Sequence, residues 1–309
     1  MTTILVAGAS GEVGRAVVHA LVARGAAVRA LVHATPLADV GVEGVRGDLA
    51  DERSLAAALD GVDSACFITP HHADEAMLGE NFIAACEAAR LRRLVYVSAY
   101  HPLARSLLVQ RLIDGVLGAI GPHYRAKLRV ERRVRRSTLS PVVLCPSNFY
   151  QNDELALPEI LGGAYPNPMG HRPASRVDTR DIGDAAARAL VDDDVPAGVY
   201  PIVGPELWTG PRVADVWSEA LGMPVAYAGD DIERWRSSVG ARMPLARAND
   251  FARTYRIIQR FGIPARARVI ARTTALLGRP PRDFRSYVRE QVASGEASST
   301  RRAALRCIA

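Results

Sequence analysis

The sequence predicts an α/β protein with a doubly wound parallel sheet and a smaller α/β region towards the C-terminus. Strand-like and helix-like segments alternate through the first half of the chain, which is typical of repeated βαβ units. A glycine-rich turn joins the first strand to the first helix. The chain has 309 residues, of which 49% are hydrophobic, so it can bury a large core.

Each element follows from the spacing of apolar residues and from the turn residues beside it. Short β-rich runs predict strands over 3–7, 28–32, 42–46, 64–69, 94–98, 142–144 and 199–203. Apolar residues at helical spacing predict helices over 12–24, 51–59, 74–89, 123–136 and 181–191. From residue 209 the pattern is mainly helical until about residue 292. Residues 100–121 are apolar at irregular spacing and predict a loop and a helix, which would lie over the ligand-binding site.

The segment Gly8-Ala-Ser-Gly11-Glu-Val-Gly14 stands where a Rossmann-like domain has its dinucleotide-binding loop. Glycines here allow a tight turn, close approach of the backbone to a pyrophosphate, and close packing of the helix on the strand. The N-terminus of the helix offers unpaired N–H groups to the phosphates. We therefore predict cofactor contacts from six loop residues, namely Gly8, Ser10, Gly11, Glu12, Val13 and Gly14.

The sequence divides into three predicted parts. Residues 1–150 form the dinucleotide-binding Rossmann domain. Residues 151–292 form most of a C-terminal substrate region, from which some segments return to the Rossmann sheet. Residues 293–309 are rich in Ser, Ala and Arg and are expected to be a disordered tail.

The end of the second strand bears on the choice of cofactor. It reads Val32-His33-Ala34-Thr35 and lacks the Asp or Glu that contacts the adenosine ribose in NAD sites. Arg15 and His33 are basic candidates for contacts with a 2′-phosphate. The sequence therefore favours NADP and leaves NAD open as the second choice.

Asp48 and Leu49 follow the third strand and are candidates for contacts with the adenine. The alternative for Asp48 is that its carboxylate caps a turn in the loop.

Composition argues against several classes of partner. The net charge is +6, but the arginines are scattered without interleaved aromatic residues, so we expect no nucleic-acid partner. Because no run of about 18 uncharged apolar residues occurs, we expect no membrane span. The first residues form a predicted strand and lack the apolar segment of a secretion signal. This pattern predicts a cytoplasmic protein.

The four cysteines Cys66, Cys86, Cys145 and Cys307 lack metal-ligand spacing. We therefore expect free thiols, with no disulfide and no metal site.

Lys127 is the only lysine, since every other one of the 39 lysine and arginine residues is arginine. Arginine cannot replace lysine where a compact ammonium is required. Although a solvated helix lysine is the simpler explanation, this bias makes Lys127 a candidate functional residue.

The order of several motifs resembles the NmrA-like family, a branch of the atypical short-chain dehydrogenases/reductases. Besides the glycine loop, the matching segments are Gly47-Asp48-Leu49, Phe67-Ile-Thr-Pro-His-His72, Arg93-Leu-Val-Tyr-Val-Ser-Ala99, His123-Tyr-Arg-Ala-Lys127, Cys145-Pro-Ser-Asn-Phe-Tyr-Gln-Asn152, Val177-Asp-Thr-Arg-Asp-Ile-Gly-Asp184 and Leu276-Leu-Gly-Arg-Pro-Pro-Arg282. The resemblance implies a Rossmann-like domain and a small α/β C-terminal region that closes over a cleft. It also implies either a reductase of quinones, ketones or activated alkenes, or a regulator that binds the cofactor without turning it over.

Typical short-chain dehydrogenases use a Tyr-x-x-x-Lys pair with an upstream serine, and the same spacing here reads His123-x-x-x-Lys127. The resemblance places Lys127 at the position that binds the nicotinamide ribose, and we expect its side chain to line an open cleft. His123 either donates the proton that a tyrosine would supply or only lines the pocket or caps the helix. Ser98 either hydrogen-bonds a substrate oxygen or caps the end of the central strand.

Further candidates follow the carboxyl ends of strands, where such folds bind ligands. Contacts with the cofactor are expected from Thr69, Pro70, Pro146 and Asn148. Contacts with the substrate are expected from His71, Tyr100, Phe149 and Tyr150.

Together these features predict an NAD(P)H-dependent reductase of a moderately hydrophobic ketone, quinone or enone. Nicotinamide C4 would supply the hydride, and the small-molecule substrate would be aromatic or conjugated. The alternative is a non-catalytic NAD(P)-sensing regulator of the NmrA type. A homodimer is compatible with either prediction.

Overall fold

The computed structural model describes residues 2–33, 42–70, 72–101 and 122–295, with only the backbone described at residues 122 and 123. The predicted loop and helix over 100–121 and the predicted tail over 293–309 therefore lie almost entirely outside the described residues, as does Cys307. The other three cysteines are buried free thiols.

The described strands, numbered in chain order, are β1 (Thr3–Ala7), β2 (Ala27–Val32), β3 (Glu43–Arg46), β4 (Ser64–Ile68), β5 (Arg93–Val97), β6 (Val142–Pro146), β7 (Asn148–Phe149), β8 (Ala164–Tyr165), β9 (Ala174–Val177), β10 (Gly198–Ile202), β11 (Leu207–Trp208) and β12 (Ala226–Tyr227). The described α-helices are α1 (Glu12–Ala23), α2 (Glu52–Ala58), α3 (Glu75–Ala88), α4 (Pro122–Arg135), α5 (Leu157–Leu161), α6 (Thr179–Val191), α7 (Gly210–Leu221), α8 (Ile232–Ser237), α9 (Leu245–Phe261), α10 (Ala267–Leu277) and α11 (Phe284–Ala293). Two 3₁₀ helices cover Tyr150–Ala156 and Gly240–Arg242.

The chain divides into two compact units. The first comprises Met1–Pro146, Thr179–Ile202 and Ala271–Arg279, and the second comprises Ser147–Asp178, Val203–Ile270 and Pro280–Ala309. The sequence places the boundary at residue 150, close to the end of the first segment of the first unit. The order of the segments shows that the chain leaves the first unit and returns to it twice.

The first unit is built on a seven-stranded parallel sheet in the order β10-β6-β5-β4-β1-β2-β3. The first six strands therefore have the order 3-2-1-4-5-6, and the direction of winding reverses between β1 and β4. This is the doubly wound Rossmann order, in which ligands bind beyond the carboxyl ends of the strands at the reversal point. The predicted fold class is confirmed.

The central strands are apolar on both faces because helices cover both sides of the sheet. Every residue of β5 is buried, and so is every residue of β6. Helix α1 packs closely against α6, and an added Cβ at Gly183 would lie 2.4 Å from the Ala16 carbonyl oxygen. Only glycine fits this helix crossing, which explains its place in the Val177–Asp184 motif.

The second unit has a three-stranded sheet in the order β11-β9-β7 and a two-stranded sheet of β12 and β8. Its core contains all three tryptophans, Trp208, Trp217 and Trp235, together with Phe284 and Tyr287. All three indoles are buried.

A buried ion pair also lies in the core of the second unit. The Arg176 guanidinium bonds the Asp153 carboxylate at 2.9 Å and lies 4.7 Å above the Phe284 ring. Trp217 donates its indole N–H to Asp153 at 3.1 Å, so both charges are hydrogen-bonded where water is excluded.

The predicted elements agree with the structure to within about two residues. Helix α6 begins at Thr179, two residues before the predicted start, and Asp181 lies in its first turn. Asp181 is buried and accepts a hydrogen bond from Arg279 at 2.7 Å, which the sequence did not indicate. Among the described residues, no helix is both long and apolar enough to cross a bilayer.

The close crossing of α1 and α6 generates a prediction for Gly183→Ala. The added methyl group would overlap the Ala16 carbonyl oxygen, and overpacking of this kind costs about 1–3 kcal/mol of unfolding free energy. Urea denaturation measures the loss. Gly198→Ala is the matched control, because an added Cβ there meets its nearest atom, on the Tyr200 ring, at an ordinary 3.5 Å. Equal stability of the two variants would contradict the packing argument.

Candidate functional site

The carboxyl ends of three neighbouring strands bring predicted site residues to one edge of the sheet. Ala7 of β1 pairs with Phe67 of β4, and Ile68 of β4 pairs with Val97 of β5. Because the strands are parallel, the residues that follow them leave the sheet on the same side. Gly8, Thr69 and Ser98 are therefore placed beyond adjacent strand ends.

Two glycines of the first loop are required by the fold itself. Gly8 has a φ of +86°, and an added Cβ would lie 2.6 Å from the Ile68 carbonyl oxygen. An added Cβ at Gly14 would lie 2.0 Å from the Gly8 carbonyl oxygen. These positions let the loop approach β4 and let α1 pack on the loop.

Gly11 differs from both of these glycines. It is the N-cap of α1 with a φ of −76° and a ψ of 167°, a conformation open to any residue. The nearest described atom to an added Cβ is the Gly8 carbonyl oxygen, at an ordinary 3.5 Å. Packing does not explain a glycine here, whereas a pyrophosphate on the helix N-terminus would need this space. The loop therefore fits the phosphates of a dinucleotide.

Hydrogen bonds hold the other residues of this loop in place. Arg15 donates from its Nε to the Ser10 carbonyl oxygen at 3.1 Å, and Thr179 donates its hydroxyl to the Glu12 carboxylate at 3.3 Å. Val13 is buried in α1. In this arrangement the first turn of α1 can offer backbone N–H groups at its end while its side chains hold the loop in place.

The structure brings His33 and Asp48 together beyond the ends of β2 and β3. Their side chains are exposed, and His33 Nε2 lies 3.5 Å from Asp48 Oδ2. Asp48 also accepts the Ala50 N–H at 2.8 Å and so caps a turn, which was the structural alternative for this residue. The Leu49 carbonyl accepts from Asn81 Nδ2 at 3.1 Å, which ties this loop to α3.

Lys127 lies in a buried cluster with Thr69 and Glu75. Its ammonium donates to the Thr69 hydroxyl at 2.8 Å and lies 3.4 Å from Glu75 Oε1. The Lys127 side chain is 12% exposed and the Glu75 side chain 1%. The Lys127 side chain is therefore packed and ion-paired, and the expectation that it lines a cleft stays a prediction. Burial lowers the pKa of Lys127, and the Glu75 charge opposes this shift.

Ser98 belongs to a second buried cluster. Its hydroxyl donates to Glu131 Oε2 at 2.8 Å, and His101 Nε2 lies 3.1 Å from the same oxygen. Cys145 Sγ lies 3.9 Å from His101 Nε2. Burial alone would raise the pKa of Glu131, but hydrogen bonds from His101 and Ser98 lower it. The Ser98 hydroxyl is thus committed to a carboxylate on α4.

The donor atoms of His101, Glu131 and Cys145 lie within 4.8 Å of one another. Their spacing along the chain did not single them out. Burial raises the pKa of the Cys145 thiol well above its usual value, so this sulfur is a poor nucleophile.

Several other predicted residues lie outside these two clusters. Pro70 is half-buried after β4, and the Tyr100 N–H donates to the Pro146 carbonyl oxygen at 2.9 Å, joining the loop after β5 to the end of β6. His71 and the side chain of His123 lie outside the described residues. The contacts predicted for these residues stay predictions.

The remaining candidates, Asn148, Phe149 and Tyr150, belong to the second unit. Asn148 and Phe149 form β7, and the Phe149 carbonyl accepts from Arg176 at 2.8 Å. Tyr150 is fully buried and packs on Phe284 and Tyr287. Packing accounts for the aromatic side chain of Tyr150, and its predicted contact with a substrate stays a prediction.

Sequence reasoning missed Glu75, His101 and Glu131. Glu131 follows Lys127 by one helical turn, so the spacing could have indicated it. Glu75 and His101 carry no local signal, since their partners are distant in the sequence.

Comparison with known proteins gives results that agree with this geometry. A sequence model of the NmrA-like family matches residues 1–287. An NAD(P)H azoreductase from Xenophilus azovorans is 29% identical over 94% of this chain and 98% of its own length. A (4-alkanoyl-5-oxo-2,5-dihydrofuran-3-yl)methyl phosphate reductase from Streptomyces griseus is 30% identical over 93% of this chain and 97% of its own.

Among solved structures, an NADPH-dependent quinone oxidoreductase from Escherichia coli, complexed with NADPH, has a TM-score of 0.76. It is 21% identical and is matched over 92% of this chain and 98% of its own. At this identity the likeness shows the fold. The Escherichia coli protein was solved with NADPH, which agrees with the prediction of a nicotinamide cofactor for this chain.

The glycine loop generates a prediction for Gly11→Val. Valine adopts the Gly11 conformation without strain, so the melting temperature of the apoprotein should change little, while its methyl groups fill the space that a pyrophosphate would need. We expect at least a tenfold rise in the cofactor dissociation constant, or about 1.4 kcal/mol. Fluorescence titration with NADPH measures this rise.

Gly14→Ala is the matched control for this experiment. Its methyl group would overlap the Gly8 carbonyl oxygen, so this variant should lose stability as well as affinity. A Gly11→Val protein that binds the cofactor as tightly as the wild type would show that the loop is not the phosphate site.

Proposed function

Because the chain belongs to the NmrA-like family, we propose that it is an NAD(P)H-dependent reductase of a small, moderately hydrophobic ketone, quinone or enone. The family itself is established by the match over residues 1–287. Two relatives that align with this chain over almost its full length are named as reductases, and one of these names specifies NAD(P)H.

The observation that carries the proposal is the position of Lys127. Gly8 approaches the Ile68 carbonyl oxygen, and the next residue, Thr69, accepts a hydrogen bond from the Lys127 ammonium. The chain's only lysine is thus fixed beside the strand on which the glycine loop packs. If the pyrophosphate of a dinucleotide lay on that loop, the cofactor would bind at this edge of the sheet, where Lys127 could donate to its nicotinamide ribose.

The residues divide the binding tasks between them. Backbone N–H groups of the Gly8–Gly14 loop would hold the phosphates, and Lys127 would donate to the ribose hydroxyls. When bound, NAD(P)H supplies a hydride from nicotinamide C4. Reduction also consumes one proton, and at a conjugated acceptor the enolate or hydroquinone oxygen can take that proton from water. A conjugated substrate is therefore compatible with a chain whose Tyr-x-x-x-Lys tyrosine is replaced by His123.

The names of the two relatives also support a conjugated acceptor. One is named as an azoreductase and the other as a reductase of a (4-alkanoyl-5-oxo-2,5-dihydrofuran-3-yl)methyl phosphate. An azo group is an N=N double bond, and the dihydrofuran ring has a C=C double bond conjugated to carbonyl groups.

Steady-state turnover tests the proposal. We expect the purified protein to oxidise NADPH continuously with at least one member of a panel of small quinones, enones and azo compounds. Gly11→Val is the control, because it should remove turnover without unfolding the chain. A protein that binds NADPH tightly but oxidises it with no panel member would support the regulatory alternative.

The adenosine end of the proposed site generates a prediction of cofactor preference. Arg15 and His33 lie at the loop and beyond β2, where a 2′-phosphate would bind, so we expect a lower dissociation constant for NADPH than for NADH. His33→Ala should weaken NADPH binding and leave NADH binding nearly unchanged, because the exposed His33 side chain does not brace the phosphate loop and only NADPH carries that phosphate. Fluorescence titration with both cofactors measures the difference, and a preference for NADH would contradict these assignments.

A further inference from the structure

We propose that Glu75 is a positioning residue whose buried carboxylate, acting with Thr69, holds the Lys127 ammonium in place for the ribose of the cofactor. This inference rests on the proposed function, because it concerns the same cofactor site. Glu75 is neither in the glycine loop nor in the His123-x-x-x-Lys127 pair.

The geometry forms a closed triangle of three side chains from three elements. Thr69 follows β4, Glu75 is the first residue of α3, and Lys127 lies in α4. Thr69 donates its hydroxyl proton to Glu75 Oε1 at 2.5 Å. Its oxygen can therefore only accept from Lys127, which donates to it at 2.8 Å. The carboxylate thus fixes the direction of both hydrogen bonds.

The ammonium keeps a donor for a ligand within this arrangement. Lysine carries three N–H donors, and the triangle directs one of them to Thr69 and one towards Glu75. The Lys127 side chain is 12% exposed and is therefore not fully enclosed.

The two charges of the triangle depend on each other. Glu75 is buried, and a buried carboxylate without a counter-charge is strongly unfavourable. Burial in turn lowers the pKa of Lys127, while the Coulombic attraction of Glu75 and its hydrogen bond raise it. The carboxylate therefore favours the charged form of the lysine, which is the form that donates.

The other groups near Lys127 do not replace Glu75. Tyr96 on β5 also hydrogen-bonds Thr69 and donates its hydroxyl to the Lys127 carbonyl at 3.4 Å. Burial raises the pKa of this phenol well above its usual value, so it carries no charge. Glu131, one turn further along α4, is bonded within its own buried cluster. Among the described residues, Glu75 is the carboxylate that pairs with the Lys127 ammonium.

A single resonance can test this assignment directly, because Lys127 is the only lysine in the chain. Protein labelled with ¹³C and ¹⁵N at lysine gives one Cε signal and one Nζ signal. The chemical shift of either signal, followed against pH, reports the pKa of Lys127. In Glu75→Gln the amide oxygen can still accept from Thr69, while the charge is lost. We expect the pKa of Lys127 to fall by about one unit or more relative to the wild type.

Cofactor binding provides the second readout. A neutral amine is a weaker donor, so NADPH affinity should fall as pH rises through the pKa of Lys127. In Glu75→Gln this fall should begin at lower pH than in the wild type, by the same shift as the resonance. Glu75→Asp retains the charge and should restore the wild-type pH profile even where its affinity is lower.

Glu80→Gln is the matched control, since Glu80 lies on the same helix and pairs with Arg129 of α4 at the surface. It removes one charge from the same pair of helices and should leave the resonance and the pH profile unchanged. An unchanged pKa of Lys127 in Glu75→Gln, with wild-type NADPH affinity at every pH, would overturn the inference and leave the proposed function intact. Wild-type protein that binds no NADPH at any pH would overturn the proposed function itself.

Discussion

The close approach of Gly8 to the carbonyl oxygen of Ile68 is the contact on which the site depends. A side chain at Gly8 would lie 2.6 Å from that oxygen, so only glycine lets the first loop meet the end of β4. This contact lies at the point where the winding of the sheet reverses. Ile68 is followed by Thr69, which accepts a hydrogen bond from the Lys127 ammonium. The glycine loop and the partly buried ammonium are thus both tied to the end of β4.

Buried charges recur in both units, and each is hydrogen-bonded. Lys127 pairs with Glu75, Glu131 accepts from Ser98 and His101, and in the second unit Asp153 pairs with Arg176. Such pairs add little net stability, because desolvation offsets most of the attraction. Breaking such a pair would leave an uncompensated buried charge. The pairs therefore strongly favour a single arrangement of the side chains. We infer that these pairs contribute mainly by fixing the positions of their side chains.

The sequence was informative wherever structure follows from local spacing. Strand and helix patterns, the glycine loop and the lone lysine are all properties of short segments, and the fold class and the family were confirmed. It failed where contacts join distant residues: Thr69 and Lys127 are 58 positions apart, and Arg279 and Asp181 are 98 apart. The ion pair of Lys127 was missed for this reason, since nothing near Lys127 in the chain indicates the carboxylate of Glu75. Only the packing of α3 against α4 brings the two charges together.

The proposed site requires a compact ammonium at position 127 to orient a nicotinamide cofactor, and Lys127→Arg is the decisive variant. Arginine preserves the charge opposite Glu75 and occurs at every other basic position, but its planar, bulkier guanidinium should fit poorly at a ribose. The measurement is the NADPH dissociation constant of this variant and of the wild type, with the melting temperature of each apoprotein. We predict a folded variant whose affinity is weaker by about tenfold or more, or about 1.4 kcal/mol. A folded variant with wild-type affinity would contradict the claim.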